Sequence, residues 1–146
     1  MGLRIDALPL ARTVISVALM LVSFSPALAQ PAPIGLVIGN AHYATYPALS
    51  ACIESSQDIA NSLRGLGYQV VERQDLTSGG MAAAIGEFSR DMEATPDASV
   101  FVYICGYAAG MNERPFLLPV SANIRRPSDV MTQGILAKVL LDVLSR

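Results

Sequence analysis

The sequence predicts an α/β domain in which a mostly parallel sheet lies between two helical layers, and three observations carry that expectation. Short runs rich in Val, Ile and Tyr alternate with stretches whose apolar residues recur at helical spacing, in the order strand, helix, strand, helix, strand, helix. Right-handed crossovers turn such an order into a parallel sheet with helices on both faces. The run Ile34–Ile38 (IGLVI) is apolar throughout, as a strand with no wet face must be. No internal repeat, linker or low-complexity run divides the chain, so its 146 residues are read as holding one domain.

The first strand, Ile34–Ile38, is closed by Gly39-Asn40 and followed by a turn-rich piece. From Cys52 onward the positions Cys52, Ile59, Leu63 and Leu66, with Ala60 beside them, form one helical stripe that stops at Gly67, a natural helix terminator. Tyr68–Glu72 (YQVVE) is a second short strand. Met81, Ile85, Phe88 and Met92 then repeat at i, i+4, i+7 and i+11 for a second helix, which Thr95-Pro96-Asp97 breaks. Gly79-Gly80, ahead of it, reads as a turn, because no Lys-Ser/Thr follows to hold a nucleotide phosphate. Ser99–Cys105 (SVFVYIC) is the most hydrophobic stretch after residue 30, rich in β-branched and aromatic residues, and is expected to be the central strand. A glycine-containing loop leads to Pro115–Val120 (PFLLPV), a short strand or hairpin arm. Met131, Ile135, Val139, Leu140 and Val143 predict a single third helix, with Ser128 as capping candidate and Thr132 as a later alternative.

Residues 1–29 are set apart from this domain. Arg4 and Arg12 lie in a short charged start, Thr13–Phe24 is almost wholly apolar, and Ala27-Leu28-Ala29 supplies the small-x-small cleavage pattern of a secretory signal peptide. The apolar run is well short of the ~20 residues of a membrane span. The expected product is an exported protein, periplasmic or secreted, with its domain over residues 30–146 and no membrane span after cleavage. Setting aside Arg4, Arg12 and Asp6 leaves eight basic against eleven acidic side chains, a net charge of about −3 that offers no basic surface for nucleic acid. With one histidine and no acids grouped beside it, no metal site is expected, and nothing implies a cofactor.

In parallel sheets of this kind, chemistry collects at the carboxyl ends of the strands, here Gly39-Asn40 and Cys105-Gly106-Tyr107. The segments GLVIGNAHYATYPAL (35–49), LRGLGYQVVERQDLT (63–77) and FVYICGYAAGMNERPFLLPVSA (101–122), in that order and spacing, resemble the caspase-like domains of bacteria, peptidase family C14, which includes the metacaspases. The resemblance implies a three-layer α-β-α fold and cysteine-nucleophile proteolysis. A histidine after the third strand draws the proton from a cysteine after the fourth, and backbone N–H groups hold the oxyanion. This chain departs from that pattern in three places. Tyr107, within Gly106-Tyr107-Ala108, stands where the family has the histidine of Gly-His-Gly, and a phenol of ordinary pKa ~10 is no base near neutrality. The family's cysteine, about 50 residues after that histidine, would fall beyond Arg146, so the domain reads as incomplete, truncated before the strand that carries it. The family's acidic substrate-binding position falls at Ser55, with the acid one place early at Glu54.

Two weaker catalytic candidates remain, Cys105 and His42. Both lie at the carboxyl edge of the sheet, but Cys105 is read as a buried core residue and His42 as an exposed loop residue. Tyr43 and Tyr46 are read as covering the sheet edge. An oxidising compartment permits a Cys52–Cys105 bridge, and the resemblance makes the first and third strands neighbours. The expectation is nevertheless two free thiols, because Cys105 ends a strongly apolar strand. The functional expectation is a non-catalytic module, with no catalytic residue of its own, that binds a peptide or protein; an uncovered sheet edge would also invite self-association. The alternative is an active cysteine endopeptidase, if the missing strand lies in further chain. A small-ligand domain of the same fold class is a third reading.

Overall fold

A strand that is apolar on both faces must find a neighbour for each edge, and β1 (Ile34–Gly39) finds them in β2 (Gln69–Gln74) and β3 (Val100–Cys105). In the computed structural model, which describes residues 30–145, both pairings are parallel and the strand order is β2-β1-β3. Gly39 stands level with Gln74 on one side and with Cys105 on the other. The central strand is therefore β1, all six of whose residues are buried, and not the Ser99–Cys105 stretch the sequence nominated. Apolar content does not separate a strand flanked on both sides from one with an apolar free edge. Val100 and Phe101 of β3 are each 37% exposed.

Side-chain alternation along β1 divides the core between two helical layers. Ile34, Leu36 and Ile38 pack against Ile85 and Phe88 of α2 (Ser78–Ala94) and Leu140 of α4 (Ala137–Leu144). Val37 packs on the opposite face against Ala60 and Leu63 of α1 (Ser50–Gly65). Burial of each large β1 side chain contributes about 1.5–3 kcal/mol. This is the expected three-layer α-β-α arrangement around a parallel sheet. Gly67, at φ +86°, ends α1 where the sequence placed its terminator. Among the described residues no helix is long and apolar enough to cross a membrane. The leader assigned to residues 1–29 lies outside the described residues.

Three local readings change. Gly79 and Gly80 belong to the first turn of α2 and not to a free turn, because Thr77 caps the helix, its hydroxyl accepting the Gly80 N–H at 3.3 Å. The glycine-containing loop after β3 is a strand, β4 (Ala108–Met111), paired antiparallel with β5 (Arg114–Leu117). The residues between them, Asn112 and Glu113, have φ of 51° and 60°, the left-handed pair a two-residue hairpin needs. The single helix expected from Met131 to Val143 is two helices, α3 (Pro127–Gln133) and α4, separated by β6 (Ile135–Leu136), which pairs with β5. Gly134 makes the break: a Cβ there would stand 3.0 Å from that of Phe116, so only glycine brings the chain this close to β5. At the start of α3 the Asp129 carboxylate accepts the N–H groups of Arg125 and Arg126, at 3.0 and 2.9 Å, and these bonds hold it below the usual carboxylate range. Ser128, the sequence candidate for the cap, lies inside the helix.

Candidate functional site

The carboxyl ends of β1, β2 and β3 meet at one edge of the sheet, and the residue after β1 joins all three. The Asn40 N–H donates to the Cys105 carbonyl at 2.9 Å, and its side-chain oxygen accepts the Leu76 N–H at 2.9 Å. Its amide nitrogen donates to the Met81 sulfur at 3.8 Å. Asn40 is 1% exposed, and these partners satisfy a polar side chain that burial would otherwise penalise.

Asp75, after β2, has φ 49°, and its N–H donates to the Gly39 carbonyl at 3.0 Å. Its carboxylate turns back over the β1 loop: Oδ1 accepts the N–H groups of Ala41 and His42 at 2.8 and 2.9 Å, and Oδ2 lies 2.7 Å from His42 Nδ1. Burial acts to raise the Asp75 carboxyl, but the hydrogen bonds from the His42 backbone, the His42 ring and the Ala41 backbone together outweigh it, and it sits below its ordinary value. His42 is thus an exposed loop side chain, 69% accessible, whose ring nitrogen is committed to Asp75 and makes no bond to Cys105.

Cys105 is bonded to Cys52, with Cα atoms 5.2 Å apart, and this corrects the expectation of two free thiols. The expectation weighed the hydrophobicity of β3 and overlooked which face its last residue takes. Tyr103 packs on the α1 side of the sheet, so Cys105, two residues on, points the same way. Next to it in register stands Gly39, where a Cβ would lie 2.8 Å from the Cys52 carbonyl oxygen. With no side chain at 39, the first turn of α1 settles onto β1 and its Cys52 reaches the neighbouring strand. Sequence order carried this signal, since a helix returning from the carboxyl end of β1 starts at the same edge where β3 ends.

Tyr107 lies in a cluster of three tyrosines. Its ring centre is 4.9 Å from that of Tyr43 at 71° and 5.4 Å from that of Tyr46, geometry favourable for aromatic pairs. The Tyr107 N–H donates to the Tyr43 hydroxyl at 2.8 Å, and that hydroxyl donates to the Leu118 carbonyl at 3.1 Å. Burial pushes the Tyr43 phenol up, against the smaller downward effect of the Tyr107 N–H, so it stays a neutral donor. Gly106 makes the approach possible: a Cβ there would stand 2.5 Å from the Tyr43 oxygen. Tyr46 accepts the Ile124 N–H at 3.1 Å. Tyr43 and Tyr46 cover the edge, as their loop positions suggested. The space beside Tyr107, bounded by Asn40, Met81, Ile104 and Leu118, is about 20 Å³, room for one water and not for a substrate side chain.

The remaining candidates sit on α1 apart from this cluster. Ser55, the position at which the resemblance implies an acid, turns its hydroxyl back to the Ala51 carbonyl, and Glu54 is exposed. Among the described residues no three His, Cys, Asp or Glu side chains are grouped to hold a metal ion. Sequence reasoning missed Asn40 and Asp75 as the residues that organise the edge; the Gly-Asn closing β1 and the acid closing β2 were the available signals.

A parallel sheet between two helical layers, in the order β2-β1-β3, is consistent with a caspase-type fold. Residues 33–144 match the family model of the caspase domain, peptidase family C14, and the chain belongs to that family. A comparison with curated proteins gives no match.

Proposed function

We propose that this is an exported caspase-family domain that binds a peptide or protein segment and does not itself hydrolyse peptide bonds. The observation that carries the reading is the packing of Tyr107. At the position that the resemblance aligns with the family's histidine stands a phenol whose ring packs against two other tyrosines, and the residue's N–H is bound to Tyr43. The one cysteine near it, Cys105, is held in a disulfide and offers no thiolate. Export is supported by the leader-like residues 1–29 and by the Cys52–Cys105 bond, which an oxidising compartment maintains.

Binding is supported by the sheet itself. Among the described residues β3 pairs only with β1, and its free edge runs beside an apolar groove of about 300 Å³ bounded by Val102, Ile104, Leu117, Leu140 and Leu141. An added strand would gain backbone hydrogen bonds along β3 and bury alternate side chains in that groove. The same edge favours the second reading, an endopeptidase, since the family places the nucleophile's strand after the third. A chain that supplied that strand would still meet a phenol at 107 in place of an imidazole.

The test has two parts. The protein with residues 1–29 removed is assayed on peptides with basic or acidic residues before the cut, against its Cys105→Ala variant, and no difference is expected. Cysteine-dependent cleavage would end the non-catalytic reading. Hydrogen exchange with and without apolar strand-forming peptides should show added protection at the Val100–Cys105 amides, and unchanged protection across a peptide panel would remove the binding reading.

A further inference from the structure

We propose that Cys52–Cys105 is an exchangeable bond, opened by a protein dithiol that attacks Cys105, and that it latches the carboxyl end of β3 to α1. Three observations point to it. The two residues differ in exposure: Cys52 is 6% exposed, whereas Cys105 is only half-buried and is followed by the exposed Gly106. An incoming thiolate therefore meets Cys105 first. The group it expels is Cys52, third residue of α1, a helix with no acid in its first turn. The positive end of that helix's dipole favours a departing thiolate. The bond also ties the end of β3 to the first turn of α1, beside two hydrogen bonds that hold the same segment from the β1 loop. The Cys105 carbonyl accepts the Asn40 N–H, and two residues later the Tyr107 N–H is held by Tyr43.

The exchange balances without any further reactant. One thiolate of the dithiol forms a bond to the Cys105 sulfur as the Cys52–Cys105 bond breaks and Cys52 leaves with the electron pair. The second thiol of the reductant then displaces Cys105. The products are two thiols in this chain and a disulfide in the reductant, which has supplied two electrons; the protons come from the dithiol. Opening the bond leaves β1 and its core intact and frees the segment Cys105–Tyr107 to move away from α1.

The experiment uses the full mature chain and a thioredoxin-type protein whose resolving cysteine has been replaced, so that the mixed disulfide persists. Under native conditions peptide mapping should find the adduct on Cys105, in at least tenfold excess over Cys52. With the unmodified dithiol protein, reduction should go to completion without unfolding, and amide exchange should speed up at Gly106 and Tyr107 by tenfold or more while β1 amides keep their protection. An adduct on Cys52 would overturn Cys105 as the sulfur attacked, and reduction only after denaturant is added would show a purely structural bond. The Cys52→Ser/Cys105→Ser double variant provides an independent reading. A folded variant with the same local increase in exchange supports the latch, and one that is unfolded or unchanged at Gly106 and Tyr107 refutes it.

Discussion

The two halves of the carboxyl edge are held together by different chemistry. On the β2 side the connections are polar: Asn40 receives the Leu76 N–H, and the Asp75 carboxylate gathers two backbone N–H groups and the His42 ring. On the β3 side they are covalent and aromatic, the Cys52–Cys105 bond followed by the rings of Tyr43, Tyr46 and Tyr107. The first half contains a titratable carboxylate and the second a reducible bond, and both adjoin the same strand end at Gly39-Asn40. The β3 half is the one filled with rings and closed by a sulfur bridge.

The largest effect is expected on the β3 side. The bond closes a loop spanning 53 positions of sequence, for which the chain-entropy account gives about 4 kcal/mol of stabilisation. Cys105→Ser should therefore lower stability in urea by about 2–4 kcal/mol, and the oxidised wild type should lose a similar amount on reduction. A change below about 1 kcal/mol would mean the edge is held by its hydrogen bonds and rings. On the β2 side, Asn40→Ala removes the acceptor of a partly buried Leu76 N–H and should cost about 1–3 kcal/mol. If it costs more than Cys105→Ser, the ranking of the two halves reverses.

How much of this was legible depended on whether the signal was local. The three strands and the first two helices follow from apolar periodicity, because each buries a face of its own against the sheet. What failed needed a partner. The hairpin of Ala108–Met111 and Arg114–Leu117 has weak strand formers and a turn of Asn-Glu, and only pairing makes it a hairpin. The break at Gly134 exists because Phe116 leaves no space for a side chain there. The rank of β1 over β3 was hidden because the strand with the free edge is the more apolar of the two, and the disulfide because a strand's hydrophobicity says nothing about the face of its last residue. Tyr107 was legible by its position in the Gly106-Tyr107-Ala108 segment, but its packing against Tyr43 and Tyr46 was not.

A smaller effect distinguishes the halves by pH. The Asp75 carboxyl is held below its ordinary value in the folded protein. Its contribution is therefore complete above ~pH 4, the value of a free carboxyl, and is lost as pH falls through the lower folded value. Asp75→Asn should flatten the acid side of the stability profile, as measured by urea midpoints between about pH 2.5 and 5, and cost less at neutral pH than Asn40→Ala. An acid limb as steep as that of wild type would assign the pH response to other carboxylates, such as Asp129.

The smallest expected effect is the most informative about function. Tyr107→His places an imidazole at the position that the family resemblance aligns with the base, yet it should give no peptidase activity. Removing the Tyr107 ring loosens the cluster but leaves the backbone N–H bonded to Tyr43, so the new side chain would emerge beside the roughly 20 Å³ space bounded by Leu118 and Met81. The cysteine two residues before it, Cys105, is bound to Cys52, and a base with no thiol to deprotonate generates no nucleophile. The measurement is peptide hydrolysis by Tyr107→His under oxidising and reducing conditions. No turnover in either state is expected. Thiol-sensitive cleavage that appears only after reduction would make Cys105 the nucleophile and place the chemistry at this edge, and cleavage in the oxidised state would show that neither Cys105 nor its bridge bears on it.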